Sequence, residues 1–188
     1  AAVDSRRLRD RIKRVDVALY DRIARHVLQR HEEGCFPDFF GPDVTAVPVP
    51  GHAPLYRGAI DNTTRIAEAL QRLGLVHEVL TVLTRARAVK KSAFATPADR
   101  PRAATHFESL AVEETLARPT RLLLIDDFIT RGATLLGAAS RVQVAYPESE
   151  IRGFALVRSV TDEDITSISA PVVGVVTLNE AGESTRRP

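Results

Sequence analysis

A run of consecutive apolar residues that ends in two acids constrains the fold of this chain more than any other feature. Leu122 to Ile125 form the run, and Asp126 and Asp127 follow it directly. A short continuous apolar run is typical of a parallel strand that is buried on both faces. The next residues are Thr130-Arg131-Gly132-Ala133-Thr134, followed by the helical pattern Leu135, Leu136, Ala138, Ala139 and Val142. We therefore predict a strand, a glycine-containing turn and a helix, in that order.

The turn and the acid pair together predict a phosphate site beside two carboxylates. In an open α/β sheet, ligands bind at the carboxyl ends of the strands. A glycine-containing turn that enters a helix presents free backbone N–H groups and the positive end of the helix dipole to a phosphate. The alternative is a plain strand–turn–helix of another doubly wound protein, which leaves the paired acids unexplained.

Strand-like runs alternate with helical patterns along the rest of the chain. Strands are expected at Val44–Val49, Val79–Leu83, Ile151–Val157 and Val172–Leu178, and a short strand or helix between His106 and Ala117. Helices are expected over residues ~5–31 and from Asn62 or Thr63 to Leu73, where Gly74 ends the helix. This alternation predicts an α/β fold with a parallel five-stranded sheet flanked by helices, preceded by a long N-terminal helix.

Length and composition fit a single domain over residues 1–188. We expect an N-terminal helix within residues 1–35, an α/β core at 44–178, and a flexible tail at 179–188 that frays. The hydrophobic content of 44% and the charged content of 27% exclude a disordered or fibrous chain. No apolar run approaches the roughly 20 residues that span a bilayer, so no membrane partner is expected. The single cysteine, Cys35, excludes an internal disulfide, and the expected location is the cytoplasm.

A cationic segment follows the second predicted strand. Its six cations are Arg85, Arg87, Lys90, Lys91, Arg100 and Arg102, against the single acid Asp99. Such a long loop at the mouth of a sheet suits a lid that neutralises a multiply charged leaving group as it closes. The alternatives are a solvated loop or a surface for single-stranded nucleic acid, although only Phe94 and Phe107 offer stacking surfaces. The arginine-rich face of the first helix is likewise a solvated face, a homodimer contact or a nucleic-acid surface.

The segment from Leu122 to Thr134 resembles the phosphoribosyl-pyrophosphate (PRPP) motif of type I phosphoribosyltransferases. The match keeps four hydrophobic residues, two acids, two hydrophobic residues and a Thr-x-Gly-x-Thr turn in the same order. Arg131 departs from the family, which more often has a small hydroxyl residue there. Val47-Pro48-Val49-Pro50 and Arg57-Gly58 are most similar to the ComF-like (competence protein) branch, whereas Ala59 to Asn62 differ from it. The resemblance implies a Rossmann-like fold of the type I phosphoribosyltransferase kind.

The resemblance also implies a reaction and a set of site residues. The protein would bind PRPP with Mg²⁺ and transfer the phosphoribosyl group to or from a nitrogenous base or amine, with pyrophosphate as leaving group. Asp126 and Asp127 would bind the ribose hydroxyls and the metal. The remaining implied residues are Thr130, Arg131, Gly132, Ala133 and Thr134 for the 5-phosphate, Val49, Pro50, Gly51 and His52 for pyrophosphate, and the catalytic cations Arg85, Lys90 and Lys91. The acceptor is not identified by any motif.

Two other functions fit the same sequence. One is a non-catalytic module of the ComF-like kind that senses PRPP or nucleotides, or handles DNA. A DNA-handling module would lose affinity steeply as salt is raised. The other is a purely structural α/β domain, which would leave Asp126 and Asp127 buried without a cleft above them.

Overall fold

A computed structural model of the protein describes residues 17–56, 61–90, 100–159 and 171–187. Within these ranges the fold is α/β, with a parallel sheet between helices. In chain order the elements are α1 (Val17–Glu32), β1 (Gly41–Pro48), α2 (Asn62–Arg72), β2 (Val76–Val79), β3 (Leu83–Arg85), α3 (Ala103–Ser109), β4 (Leu110–Val112), β5 (Arg121–Ile129), α4 (Ala133–Ala145), β6 (Glu150–Arg158), β7 (Val175–Leu178) and β8 (Ser184–Arg187).

The main sheet has four parallel strands in the order β2-β1-β5-β6. The predicted strand at Leu122–Ile125 is confirmed as the buried centre of β5, because all four side chains are at most 1% exposed. Each face of the sheet has its own apolar core. One core packs α1 and α2 against Leu123 and Ile125, and the other packs α4, β3 and β4 against Leu122 and Leu124. This layered arrangement is compatible with a Rossmann-like fold.

The second sheet strand lies earlier in the chain than predicted. The strand expected at Val79–Leu83 is wrong in position, because β2 ends at Val79 and the chain then leaves the sheet. Val82 and Leu83 are buried in the core below the sheet, and β3 pairs with β4 in a separate antiparallel ribbon. The apolar residues Val79, Leu80, Val82 and Leu83, interrupted by the exposed Thr81, therefore run from the end of β2 to the start of β3 and do not form one strand.

A fifth parallel strand at Val172–Leu178 is not confirmed in the described part of the chain. The strand there, β7, begins at Val175 and pairs antiparallel with β8 to form a separate hairpin. Residues 179–187, which we expected to fray, form the turn of this hairpin and β8, and Ser184 is buried. The absence of apolar residues misled the prediction, since β8 is held by backbone pairing.

The helix predictions agree with the structure where the structure describes the chain. The expected helix from Asn62 or Thr63 to Leu73 is α2, and Gly74 follows it with φ +72°. The predicted first helix corresponds to α1 over Val17–Glu32, whereas residues 5–16 of that prediction lie outside the described residues. Tyr20 connects α1 to the start of α2 by donating its hydroxyl proton to Asn62 Oδ1 at 3.0 Å. The segment 106–117 contains the end of α3 and all of β4, so both expected element types occur there.

Candidate functional site

A pocket lies between the end of β5 and the first turn of α4. Its walls are Arg100, Pro101, His106, Asp126 and residues 128–134. All five residues predicted to bind the 5-phosphate, from Thr130 to Thr134, line this pocket together with Asp126. Gly132 adopts φ +82°, a left-handed conformation that glycine reaches without strain. The turn therefore delivers the free N–H groups of α4 to the pocket, as an anion site requires.

Two guanidinium groups give this pocket a cationic wall. Arg131 and Arg100 both line the pocket. The Nε of Arg100 is buried and has no hydrogen-bond partner among the described residues. A buried donor without an acceptor is unfavourable, and an anion in the pocket would supply the acceptor.

Asp126 is the acid that faces the pocket. Asp126 is only 8% exposed, and its Oδ1 accepts a 2.8 Å hydrogen bond from the backbone N–H of Asp127. Burial raises the pKa of Asp126 well above its usual value, and the charge of Asp127 raises it further. A cation or a hydrogen-bond donor brought by a ligand would stabilise the ionised carboxylate.

The two acids do not face the pocket as a pair. The strand β5 continues through both acids to Ile129, and successive side chains of a strand point to opposite faces. Asp126 lines the pocket and Asp127, which is half-buried, does not. The predicted end of the strand at Ile125 is therefore too early. Pairing with β1 does end at Ile125, while pairing with β6 continues to Ile129, so β5 is open on one edge from Asp126 onward.

This geometry limits how magnesium could be held. Asp126 offers the pocket a carboxylate with one oxygen already engaged by the Asp127 amide. No group of three or more His, Cys, Asp or Glu residues in the described ranges could enclose a metal ion. The residues fit Mg²⁺ that takes one carboxylate oxygen and completes its shell with water and substrate oxygens, which is its common mode in phosphate sites.

The predicted pyrophosphate loop, residues 49–52, is held by bonds to its backbone. Val49 N–H donates to Ile125 O at 2.9 Å, and Val49 O accepts from Thr63 Oγ1 at 2.9 Å. Gly51 N–H donates to the Asp61 carboxylate at 2.7 Å, and Pro50 has no N–H. In this conformation Val49, Pro50 and Gly51 therefore offer no unpaired N–H to a pyrophosphate, contrary to the expectation for this loop.

Arg85 holds the same loop from the other side. The side chain is 5% exposed and donates Nε to Gly51 O at 2.8 Å, Nη2 to Pro50 O at 3.0 Å and Nη1 to Ser109 Oγ at 2.6 Å. Burial lowers the pKa of Arg85, while the charges of Asp126 and Asp61 oppose that shift. Arg85 was expected to act as a catalytic cation of a movable segment, and in this structure its side chain is buried at the base of the loop and bonded to the loop backbone.

The other predicted cations and loop residues are only partly placed. Lys90 and His52 are exposed, and His52 O accepts from Val89 N–H at 2.8 Å. This last bond connects the start of the cationic segment to the loop at 49–52. The prediction for Lys91 lies outside the described residues.

His106 is a residue of the site that no sequence motif marks. His106 belongs to α3, is 4% exposed, and lines the pocket with Asp126 and Thr134. It is brought there by Gly137 in α4, since a Cβ at Gly137 would lie 2.5 Å from Ala103 O and 2.6 Å from His106 Cβ. A glycine in a helix interior is a signal of such a close approach, and it was present in the sequence.

A chain of hydrogen bonds connects the loop at 49–52 with the pocket. Arg85 donates to Ser109 Oγ, and Ser109 Oγ donates to His106 O at 2.9 Å. The His106 Nε2 then lies 3.4 Å from Thr134 Oγ1. The loop at 49–52 and the pocket, which are far apart in sequence, are therefore linked through Arg85, Ser109 and His106.

The β7–β8 hairpin covers the turn from outside. A Cβ at Gly132 would lie 2.7 Å from both methyl carbons of Val176. Arg102 adds a second contact by donating Nη1 to Ala181 O at 3.1 Å. The glycine in the turn is thus required both by its φ angle and by the side chain that packs on it.

No protein-family model matches the chain, and no curated protein matches it. In the described ranges, none of the helices combines the length and the apolar character that crossing a membrane requires.

Proposed function

We propose that the chain is a phosphoribosyltransferase of the type I superfamily, closest to the ComF-like branch, that binds PRPP and Mg²⁺. The observation that carries the proposal is the pocket in which Asp126 lies beside the turn Thr130–Thr134 at the start of α4. A turn of N–H donors, two guanidinium groups and one carboxylate are complementary to a sugar phosphate, whose phosphate accepts hydrogen bonds and whose hydroxyls donate them.

In this proposal each residue has a defined contact. The N–H groups of the turn, the hydroxyls of Thr130 and Thr134 and the guanidinium of Arg131 would bind the 5-phosphate. Asp126 would accept a hydrogen bond from a ribose hydroxyl and hold Mg²⁺ through its remaining oxygen. Asp127 remains a predicted ligand of Mg²⁺, directly or through water, and a predicted acceptor for the neighbouring ribose hydroxyl. When bound, Mg²⁺ would neutralise charge on the pyrophosphate oxygens.

The proposed reaction exchanges one bond at C1 of the ribose. The bond from C1 to the pyrophosphate oxygen breaks, and a bond from C1 to a nitrogen of the acceptor forms as that nitrogen loses its proton. Cleavage passes through an oxocarbenium-like state in which positive charge develops on the sugar. The site residues would contribute by positioning the sugar and stabilising the leaving group, without a covalent intermediate. The acceptor would be a nitrogenous base or an amine.

Calorimetric titration with PRPP, with and without Mg²⁺, tests the proposal directly. We expect magnesium-dependent binding that an Asp126→Asn/Asp127→Asn double variant loses. The matched control is Glu113→Gln/Glu114→Gln, an exposed adjacent pair that changes the same charge away from the pocket. Absence of binding by the folded wild-type protein would reject the proposal.

One observation favours a second candidate, a non-catalytic module that senses a phosphorylated ribose. The amides of Val49 and Gly51 are engaged within the protein, whereas the turn at Thr130–Thr134 faces a pocket. A site built for one phosphate would bind ribose 5-phosphate as tightly as PRPP. A transferase would bind PRPP more tightly, because the pyrophosphate adds contacts, so the ratio of the two affinities separates the candidates. A DNA-handling role would instead appear as salt-dependent binding of DNA.

A further inference from the structure

The side chain of His106 is buried against the pocket in a way that fixes its hydrogen bonding. One ring nitrogen, Nε2, lies 3.4 Å from Thr134 Oγ1. The other, Nδ1, is buried and has no partner among the described residues. The ring is held near α4 because Gly137 lets α3 approach closely: a Cβ at residue 137 would lie 2.6 Å from His106 Cβ.

The ring is neutral at physiological pH. Burial, followed by the positive charge of Arg85, lowers the pKa of His106 to about 4. The other charged groups of the pocket wall are Asp126, Arg100 and Arg131. A neutral imidazole carries one N–H, and buried N–H groups without an acceptor are rare. A proton on Nδ1 would be a buried N–H without an acceptor among the described residues. We therefore place the proton on Nε2, from which the ring donates a hydrogen bond to Thr134 Oγ1.

This arrangement determines what Thr134 can offer to a ligand. A hydroxyl that accepts a hydrogen bond from His106 keeps its own proton for another acceptor. Thr134 lies in the first turn of α4, where the backbone N–H groups also lack acceptors within the helix. The guanidinium groups of Arg100 and Arg131 add further donors to the pocket wall, which also contains the carboxylate of Asp126.

We infer that His106 is a positioning residue that fixes the Thr134 hydroxyl as a donor, so that the turn selects a phosphate monoester dianion. Such a group only accepts hydrogen bonds, which matches the N–H groups of the turn, the Thr134 hydroxyl and the guanidinium groups of the pocket wall. The inference rests on the proposed function, because it concerns the residues that would bind the 5-phosphate. It also identifies His106 as a residue on which affinity for the sugar phosphate depends.

A double-mutant cycle with ribose 5-phosphate tests the inference. We expect His106→Phe to weaken binding about 10-fold in the wild-type background, the effect of about 1.4 kcal/mol for one hydrogen bond to a charged ligand. In the Thr134→Val background the same substitution should have no further effect, because the hydroxyl it orients is gone. His106→Gln should restore most of the affinity, since its amide can donate to Thr134.

Each outcome of the cycle has a distinct meaning. Equal losses in both backgrounds would mean that His106 acts through packing alone, and would overturn the inference while leaving the proposed function intact. Failure of the wild-type protein to bind ribose 5-phosphate would overturn the inference, whereas the proposed function is rejected only if PRPP also fails to bind.

Nitrogen-15 spectra of the histidine rings give an independent test that needs no substitution in the pocket. The two neutral tautomers differ in which ring nitrogen carries the proton. We expect the Nε2–H tautomer for His106 in the ligand-free protein at pH 7. The Nδ1–H tautomer would overturn the inference, even if His106→Phe fails to fold.

Discussion

The Nε of Arg85 donates a 2.8 Å hydrogen bond to the carbonyl oxygen of Gly51, so a buried cation fixes the backbone of the predicted pyrophosphate loop. Arg85→Met would remove this bond and those to Pro50 and Ser109. We expect it to lower the free energy of unfolding by roughly 2–4 kcal/mol, since it leaves buried carbonyl oxygens without donors. Urea denaturation measures the change. Arg87→Met is the control, because Arg87 is exposed, and a similar loss there would contradict the assigned role.

The carboxylate of Asp61 accepts a hydrogen bond from the N–H of Gly51, which a pyrophosphate oxygen would otherwise accept. We expect Asp61→Asn to raise the affinity for magnesium pyrophosphate about fivefold, because removing a like charge near the ligand is worth roughly 1 kcal/mol at an exposed site. Calorimetry measures the affinity. Asp38→Asn, at an exposed acid outside the site, should leave it unchanged. Weaker binding by Asp61→Asn would show that the loop does not receive the anion.

The buried neutral ring of His106 predicts a loss of stability in acid. Its pKa is about 4 in the folded protein and 6.5 ordinarily, so between these values the unfolded chain binds more protons. Stability from this group is therefore complete above pH 6.5 and falls as the pH drops towards 4. Asp126 has the opposite sign, because its raised pKa lets the folded protein keep a proton above the usual value.

Comparison of variants separates the two groups. When the pH is lowered from 7 to 5, we expect the free energy of unfolding of the wild-type protein to fall by about 2 kcal/mol more than that of His106→Gln. Both proteins retain Asp126, so its contribution cancels in the comparison. Urea denaturation at both values gives the difference. The control is His77→Gln at an exposed histidine, which should follow the wild type. An equal loss in wild type and His106→Gln would refute the assignment of a neutral buried ring.

The contact of α3 with Gly137 predicts that a single methyl group will disturb the pocket. In most helix interiors Gly→Ala stabilises by roughly 0.5–1 kcal/mol. Here we expect Gly137→Ala to destabilise by about 1–3 kcal/mol, because the added Cβ meets Ala103 O and His106 Cβ. Binding of ribose 5-phosphate should weaken in parallel. Ser140→Ala on the exposed side of α4 should change neither quantity by more than about 0.5 kcal/mol. A stabilising effect of Gly137→Ala would contradict the packing described.

The conformation of Gly132 and its contact with Val176 can be separated by substitution. Gly34 has nearly the same φ angle, +81°, but nothing lies within 4 Å of the position of a Cβ there. Gly34→Ala therefore measures the cost of the left-handed conformation alone, about 1–2 kcal/mol. We expect Gly132→Ala to cost more than this, and Val176→Ala to restore the excess when the two are combined. Equal costs at the two glycines would show that the hairpin does not press on the turn.

The sequence carried enough local information to place one half of the site. The apolar run, the two acids and the turn at Thr130–Thr134 are consecutive, and their geometry follows from the strand and helix that flank them. Burial of residues 122–125 and a pocket at the turn were both predictable in this way. The exact end of β5 was not, because it depends on β6 continuing to pair after β1 has ended.

The other half of the site depends on contacts between distant residues. Arg85 reads as a mobile lid cation in the sequence, yet it is buried because the ribbon of β3 and β4 folds under the loop at 49–52. His106 had no motif around it, and only its packing on Gly137 brings it to Thr134. The opposite orientation of Asp126 and Asp127 follows simply from strand alternation, once β5 is known to run through both.

A connected series of contacts joins the loop to the turn and so relates ligand binding at one to ligand binding at the other. Its members are Gly51, Arg85, Ser109, His106 and Thr134. We expect a ligand that displaces one end of the series to change the free energy of binding at the other end. Such coupling is reciprocal, so the factor by which a phosphate at the turn changes affinity at the loop equals the factor in the opposite direction. The two ends would then respond as one cooperative unit.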